Sequence, residues 1–370
     1  MSKVKGLRAG VMASILAGAA LAAGVAHAQG VSTERPGSIL IFPKVVNDGN
    51  DTIVQITNTS NSLTYAHCFY TNGDVVNGQP LWQVTDFELV LTRQQPTHWA
   101  ASQGRAVNPL DNNPGGQSGS GLDPGLVPPV VPGFTGFLTC VEVTSDGTPV
   151  SSNSLIGVAT VGQVTTDPAG TNNVSKYNAV AIPGCNSNEG ACGDTGDAND
   201  GNNVLELNDI EYARCPGGLY LNFQSEGSAD PVLDGAGNAP STVSTNLSLV
   251  PCGIDFENLE PTQTTVDVDI RDEFETPSSL SSGIPIDCYF TGALSDPTFL
   301  SQFTLSTMFG SAILHPFPGR APVVGVANVL RTAGDGTSDT AATNLHFCTD
   351  ASDPAHCVPV DSEITLPTFR

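Results

Sequence analysis

Short runs of apolar, β-branched and aromatic residues recur from one end of the chain to the other, and turn-forming residues separate them. Runs of about four to eight such residues bounded by Gly, Pro, Asn, Asp or Ser are typical of β-strands. In the first half this pattern predicts strands at Ser38–Pro43, Thr52–Thr57, Thr64–Tyr70, Phe87–Thr92, Gly136–Val143, Leu155–Val164 and Tyr177–Ile182. In the second half it predicts strands at Leu219–Gln224, Val243–Val250, Thr264–Ile270, Ile286–Phe290, Ala312–Leu314, Val323–Leu330 and Thr343–Phe347.

No convincing amphipathic helix pattern separates these strands, which favours antiparallel sheets. The 370 residues exceed the length of about 250–300 at which single cores usually stop growing. We therefore expect an all-β fold of two tandem antiparallel β-sandwich domains of the Ig-like type. The expected divisions are a signal peptide at 1–28, a first domain at 29–190, an acidic Asp/Asn linker loop at 191–203 and a second domain at 204–370.

Long Gly/Pro-rich tracts interrupt the strand pattern. The chain contains 39 Gly and 27 Pro, which indicates many turns. Four of these tracts are predicted to be loops: Gln103–Gly133, Cys185–Asn203, Glu226–Ser241 and Thr332–Ala341.

The two halves share an order of short motifs. Thr52–Ile56 leads to Cys68–Thr71 in the first half, and Thr265–Ile270 leads to Cys288–Thr291 in the second. A second pair of segments, Ile156–Ala159 and Val324–Ala327, follows in the same order. The pattern indicates a duplicated β-sandwich, and the alternative is chance similarity between short strands.

The first residues have the pattern of a secretory signal. A basic head with Lys3, Lys5 and Arg8 precedes the apolar run Val11–Val25, and Ala26–Ala28 fits a small-x-small cleavage site. The mature chain is expected to begin at Gln29. No later apolar stretch reaches the about 18 residues of a transmembrane helix, so we expect no membrane span. The predicted location is periplasmic, cell-surface or extracellular.

The chain is strongly acidic. It has 13 Lys and Arg against 37 Asp and Glu, and removing residues 1–28 takes away three of the basic residues and none of the acidic ones, which leaves a net charge of −27. Nucleic acid is excluded as a partner because neutralising phosphates requires clustered basic residues. The negative charge favours cations as small-molecule partners. The alternative is that the charge only keeps the protein soluble.

All nine cysteines follow the signal, in a compartment where disulfides persist. Cys185 and Cys192 bracket one short loop, and Cys348 and Cys357 bracket another, which favours local disulfides. Cys68 and Cys140 lie in two strand-like runs and suit a bridge inside one sandwich. Cys215, Cys252 and Cys288 remain, and they can form one bridge among them. The pairing Cys215–Cys252 is favoured over pairings with Cys288.

One acidic segment has the composition of a calcium loop. Calcium binds six to eight oxygen ligands, and a Gly-containing Asp/Asn loop supplies them. The candidate ligands are Asp194, Asp197, Asn199, Asp200, Asn202 and Asp209. The spacing departs from the EF-hand pattern, because a Gly and an Ala stand at the first two ligand positions when Gly201 takes the turn position. The alternative is a solvated acidic turn.

No arrangement of residues points to catalysis. The histidines form no zinc motif, and no Gly-x-Ser-x-Gly turn is present. We predict no catalytic residues, and Cys288 is interpreted as a buried or bridged thiol. Trp82 and Trp99 are candidates for a stacking platform under a sugar ring, against the alternative that they fill the core.

Several short motifs resemble a known family. Arg35–Pro43, which reads RPGSILIFP, is followed by ITNTS at Ile56–Ser60. The further segments are Gln95–Trp99, Tyr212 with Cys215–Pro216, Leu249–Cys252 and Glu273–Glu275. Together they resemble a family of secreted, β-rich bacterial proteins. Asp272 departs from the asparagine expected before Glu-Phe-Glu. The resemblance implies a fold and export, and no activity or site residue is carried over.

These observations favour an exported, non-catalytic structural or interaction protein. Its partner would be an envelope or extracellular protein or glycan, contacted through loops or an exposed sheet edge. One alternative is a calcium-dependent carbohydrate-binding module, with calcium as its cofactor. A second alternative is a secreted hydrolase with paired carboxylates.

Overall fold

The structure is a computed structural model that describes residues 30–77, 79–106, 123–163, 173–185, 202–225, 241–279, 283–294, 307–334, 336–348 and 357–368. Within these ranges the chain forms strands and turns and no helix. The strands are β1 Ile39–Asn47, β2 Asn50–Asn58, β3 Thr64–Asn72, β4 Val75–Val76, β5 Gln79–Pro80, β6 Gln83–Leu91, β7 Pro96–Ala100, β8 Phe134–Val143, β9 Leu155–Gln163, β10 Val174–Asn178, β11 Val180–Ile182, β12 Val204–Leu207, β13 Leu219–Gln224, β14 Thr242–Pro251, β15 Ile254–Asp255, β16 Gln263–Asp272, β17 Pro277–Ser279, β18 Ile284–Asp287, β19 Phe290–Ala293, β20 Phe309–Pro316, β21 Val323–Thr332, β22 Ser338–Asn344, β23 His346–Phe347 and β24 Ser362–Thr365.

The N-terminal half forms two layers joined through the hairpin of β1 and β2. One layer has the strand order β11-β1-β8-β3-β6, and the other has the order β7-β2-β9-β10. Leu40 and Phe42 of the first layer pack against Val54 and Ile56 of the second, in one buried cluster. The alternation of side chains along a strand places these residues on the face between the layers.

The central strands of the first layer are buried on both faces. Ile39 and Ile41 of β1 point away from the inner cluster and belong to a second buried cluster. A strand covered on both faces has a continuous apolar run instead of an alternating one. This explains the unbroken sequence Ile-Leu-Ile-Phe in β1.

The C-terminal half forms its own sheets. One has the order β17-β16-β20-β13-β23 with β18 also on β16, and another has the order β19-β14-β21-β22. Buried residues of both sheets, including Leu247, Val268 and Leu314, form a third cluster. A small sheet of β12, β24 and β15 contains the parallel pair β15–β24, and β4 and β5 form a separate hairpin.

The two halves share a buried core. Phe69 of β3 stacks on Phe256 with a distance of 4.2 Å between ring centroids. Tyr212 and Ile364 complete the cover over the outer face of the first layer. The predicted linker at 191–203 lies mostly outside the described residues, and the division into two domains stays a prediction.

The predicted all-β fold with antiparallel sheets is confirmed. Each predicted strand overlaps an observed one, and the short strands β4, β5, β7, β12, β15, β17 and β24 were not predicted. The internal duplication is not confirmed, since β2 pairs with β9 and β7, whereas its proposed counterpart β16 pairs with β17, β18 and β20.

Three disulfides join described cysteines. The pairs are Cys68–Cys140, Cys215–Cys252 and Cys348–Cys357, which coincide with the pairings favoured by the sequence. Cys68 and Cys140 face each other on neighbouring strands, so their bridge lies within one sheet and does not link the two layers. Cys185 is also disulfide-bonded, whereas Cys192 lies outside the described residues. Across the described ranges, no helix is long and apolar enough to cross a membrane.

Candidate functional site

A cleft of about 410 Å³ lies between the two halves of the protein. This volume is within the range of roughly 300–1,000 Å³ that small-molecule sites occupy. The N-terminal wall comes from β1, β2, β9 and the start of β10, and the C-terminal wall from β14, β21 and β22. The lining residues are Lys44, Asn50, Val161, Gln163, Asn173, Ser175, Asn246, Asn328, Val329, Leu330, Ser338 and Thr340.

The strand alternation in the C-terminal sheet produces one wall of the cleft. Leu247 and Leu249 of β14 face the core of the C-terminal half. Asn246 points to the opposite face and lies directly across from Asn328 of β21. Two neighbouring amides therefore line the cleft.

Hydrogen bonds between the halves hold the cleft together at β10 and β22. Asn173 Nδ2 donates to Ser338 Oγ at 2.7 Å. Asn344 Nδ2 donates to the Asn178 carbonyl at 2.7 Å, and Asn344 Oδ1 accepts the Asn178 backbone N–H at 3.0 Å. Because three bonds cross between the halves here, the two walls are fixed relative to each other.

The lining combines neutral polar side chains with a smaller number of aliphatic ones. Most of its side chains are amides and hydroxyls, and none of the described lining residues carries a carboxylate, an imidazole or a thiol. Lys44 supplies an amine. Burial lowers the pKa of this amine, and the nearby Asp48 partly offsets that effect. The groups on offer are hydrogen-bond donors and acceptors.

One acceptor in this wall has no partner. Asn328 Oδ1 is buried and accepts no hydrogen bond from the described protein. An unsatisfied buried acceptor costs about 1–3 kcal/mol. Such a group is therefore a candidate contact for a ligand that brings a donor.

A second polar cluster lies inside the N-terminal half, around Glu142. Ser38 Oγ donates to Glu142 Oε2 at 3.1 Å, and the Ser154 hydroxyl donates to Oε1. Thr64 Oγ1 lies 3.0 Å from Ser154 Oγ, and the Asn153 backbone N–H donates to Ser38 Oγ at 2.9 Å. All five residues are buried.

Burial raises the pKa of Glu142 to about 7, and the hydrogen bonds from Ser154 and Ser38 counteract part of that rise. The carboxyl is only 2% exposed, so no substrate reaches it. A buried carboxyl surrounded by hydroxyl donors is a structural element here, and its hydrogen bonds join β8 to Ser38, just before β1, and to Ser154, just before β9.

The two tryptophans do not form a platform. Trp99 is 3% exposed and its indole N–H donates to the Tyr70 hydroxyl in the core. Trp82 packs partly buried against the other cluster, and its indole Nε1 donates to the Leu259 carbonyl at 2.5 Å. Trp99 therefore has no face free for a sugar ring, and the two residues belong to different clusters. A ligand-binding role for Trp82 stays a prediction.

The predicted calcium ligands fall largely on residues that the structure does not describe. Asp194, Asp197, Asn199 and Asp200 lie outside the described ranges. Asn202 Oδ1 accepts the Val204 backbone N–H at 2.7 Å. Asp209 Oδ1 accepts the Arg214 backbone N–H at 2.8 Å, and Asp209 Oδ2 lies 3.6 Å from Arg214 Nε. The calcium site stays a prediction.

Cys288 is a buried thiol without a disulfide partner. Burial first, and then the charge of Asp287, raises its pKa to about 12. A thiol with that pKa is protonated at neutral pH and is a poor nucleophile.

The residues of the cleft were missed at the sequence level. Asn246 and Asn328 are the interior asparagines of two predicted strands. Asn is depleted in β-strands, but Asn178, Asn222 and Asn344 also lie in predicted strands, so the presence of Asn did not single out these two residues. The cleft is lined by residues of both halves, and which residues meet there depends on long-range packing that a local sequence pattern does not show.

Comparison with known proteins adds no relative. The chain matches no protein-family model and no curated protein. A Thermotoga maritima protein, 1070, has a TM-score of 0.23 at 8% identity over 40% of this chain and 95% of its own. A Pleurotus ostreatus lectin, solved in complex with GalNAc, has a TM-score of 0.17 at 12% identity over 91% of this chain and 88% of its own. The apo form of that lectin has a TM-score of 0.17 at 13% identity over 91% and 87%. Likenesses this weak carry no inference about fold or function.

Proposed function

We propose that this chain is an exported, non-catalytic binding protein of the periplasm, cell surface or extracellular space. It contacts an envelope or extracellular component through the cleft between its two halves. The observation that carries the proposal is the 410 Å³ cleft with amide and hydroxyl side chains from both halves.

The construction of the cleft supports binding. The contacts of Asn173 with Ser338 and of Asn178 with Asn344 set its geometry before a ligand arrives. Preorganised walls lower the entropic cost of association. Amides and hydroxyls orient a ligand because they donate and accept hydrogen bonds in fixed directions.

The disulfides support the location. Three bridges among the described cysteines are typical of an oxidising compartment. The signal-like pattern of residues 1–28 is consistent with that compartment. The Ig-like character of the two tandem sandwiches and their duplication remain part of this proposal.

Cosedimentation tests the proposed function. Purified mature protein is mixed with the envelope and extracellular fractions of the producing cells, and the sedimented fraction is measured. We expect wild-type protein to sediment with one fraction and Thr340→Trp, which fills the cleft, to stay in solution. Val358→Trp, at an exposed position outside the lining, is the matched control. The proposal fails if wild-type protein sediments with neither fraction or if both variants sediment equally.

The inter-half cleft does not support the hydrolase alternative, because a hydrolase needs two carboxyl groups that reach the substrate and this lining carries none in the described residues. Carboxylates do line two other pockets of the described chain, Asp272 and Glu273 in one and Asp255, Asp361 and Glu363 in the other, and an activity screen with glycosidic substrates tests them. The calcium-dependent module depends on residues outside the described ranges, and titrating calcium into chelated protein while following the melting temperature tests it.

A further inference from the structure

We infer that the cleft binds a neutral, hydroxyl-rich ligand, such as a saccharide unit of a larger glycan. The inference rests on the proposed function, because it names the ligand class of the same site. It follows from the charge, the hydrogen-bonding groups and the apolar contacts of the lining.

The charge of the lining differs from that of the whole chain. The protein has 37 acidic and 13 basic residues, yet the described lining contains amides, hydroxyls and the single amine of Lys44. A cationic ligand would find no carboxylate to pair with in this lining. An anionic ligand would have one amine in a strongly negative protein, which disfavours its approach.

The hydrogen-bonding groups match hydroxyls. Each amide supplies two donors and one acceptor oxygen, and each hydroxyl donates and accepts. A sugar hydroxyl also does both, so adjacent amides such as Asn246 and Asn328 can each bind one ligand hydroxyl. A purely apolar ligand would leave these groups without partners, at a cost for each.

The unpartnered oxygen strengthens this match. Asn328 Oδ1 is buried and accepts no hydrogen bond from the residues that the structure describes. Asn328 lines the cleft and the terminal torsion of Asn is broad, so a ligand hydroxyl that binds at this wall can bring the oxygen into a hydrogen bond. A ligand hydroxyl that donates to this oxygen removes the penalty.

The aliphatic side chains supply the remaining contact. Val161, Val329 and Leu330 line the same cleft. A sugar ring presents C–H groups between its hydroxyls, and these groups pack on aliphatic carbon with a gain proportional to the buried area.

Calorimetry with defined saccharides tests the inference. The probes are neutral oligosaccharides of glucose, mannose, galactose, xylose and N-acetylhexosamine, with oligogalacturonate as the anionic contrast. We expect at least one neutral probe to bind and Asn328→Leu to weaken it about fivefold, the loss for one neutral hydrogen bond. Thr245→Val is the matched control, since Thr245 lies on β14 with its side chain toward the opposite face of the same sheet.

The stability of the variants separates ligand loss from unfolding. Asn328→Leu removes an unsatisfied acceptor, so its melting temperature should equal or exceed that of the wild type. Thr340→Trp should abolish binding of the same probe. Binding of oligogalacturonate alone, or of none of the probes, overturns the inference. If Thr340→Trp still blocks cosedimentation in that case, the proposed function stands without the saccharide.

Discussion

The Asn173 side-chain amide donates a hydrogen bond of 2.7 Å to the Ser338 hydroxyl and thereby joins the N-terminal and C-terminal halves beside the cleft. The two residues are 165 positions apart in the chain. Contacts of this kind make the cleft a property of the folded protein as a whole.

Removing the neighbouring contact should loosen the cleft. Asn344→Ala deletes both hydrogen bonds to the backbone of Asn178. The two groups left on β10 lose their partners, so we expect a loss of about 1–3 kcal/mol in the free energy of unfolding. Urea denaturation measures it, with Thr343→Ala, an exposed position on the same strand, as the control. Equal stability of Asn344→Ala and wild type would show that the halves do not depend on this contact.

The buried carboxyl of Glu142 should give the protein a pH-dependent stability. Burial raises its pKa in the folded state to about 7, above the value near 4.5 expected when unfolded. Between about pH 4.5 and pH 7 the folded state therefore binds one more proton than the unfolded state does. Its contribution to stability is complete below about pH 4.5 and is lost as the pH rises through about 7, with a slope of up to about 1.4 kcal/mol per pH unit.

Glu142→Gln removes this titration while keeping the shape of the side chain. Urea denaturation from pH 4 to 8 should show the falling stability in the wild type and a flatter profile in the variant. Glu34→Gln, at an exposed carboxyl outside this network, is the control for general charge effects. Parallel profiles for wild type and Glu142→Gln would contradict the assigned role.

The strand positions were predictable because they depend on local composition. Val243–Val250 and Leu219–Gln224 combine alternation with flanking turn residues, and both strands formed where the pattern placed them. The hairpin of β9 and β10 is likewise a short-range feature.

The candidate site was not predictable from the same patterns. Trp99 and Trp82 are both large aromatics near strand ends, and their burial in different clusters depends on which layer covers each face. Glu142 stands in a predicted strand as an ordinary acidic residue, and only the packing of Ser38 and Ser154 around it reveals a buried network.

The hydrogen bond from Trp99 to Tyr70 should appear as an energetic coupling between the two residues in the free energy of unfolding. Burial raises the pKa of the Tyr70 hydroxyl far above its ordinary range, although the hydrogen bond from Trp99 opposes part of the rise. Trp99→Phe leaves this hydroxyl unpaired and opens a void beside Phe87, at a cost of about 3 kcal/mol. A double-mutant cycle with Tyr70→Phe should give a coupling of about 1 kcal/mol. Additive single losses would rule out a contributing hydrogen bond.

The disulfides should differ in how much each contributes to the free energy of unfolding. The cysteines of the Cys68–Cys140 bridge are 72 positions apart in the sequence, and those of the Cys348–Cys357 bridge are 9 positions apart. The chain-entropy model gives about 4 kcal/mol for the long loop and about 2–3 kcal/mol for the short one. Thermal denaturation of the two double Cys→Ala variants measures the order. A larger loss for the short loop would show that packing around the sulfurs decides the outcome.

Hydrogen–deuterium exchange most directly tests the claim that this protein binds its partner through the inter-half cleft. Exchange is compared for free protein and for protein bound to the cell fraction with which it sediments. The account predicts added protection at β10 and β22, the strands that meet beside the cleft, with little change on β16 to β18. Unchanged exchange at β10 and β22, with protection elsewhere in the described chain, would contradict it.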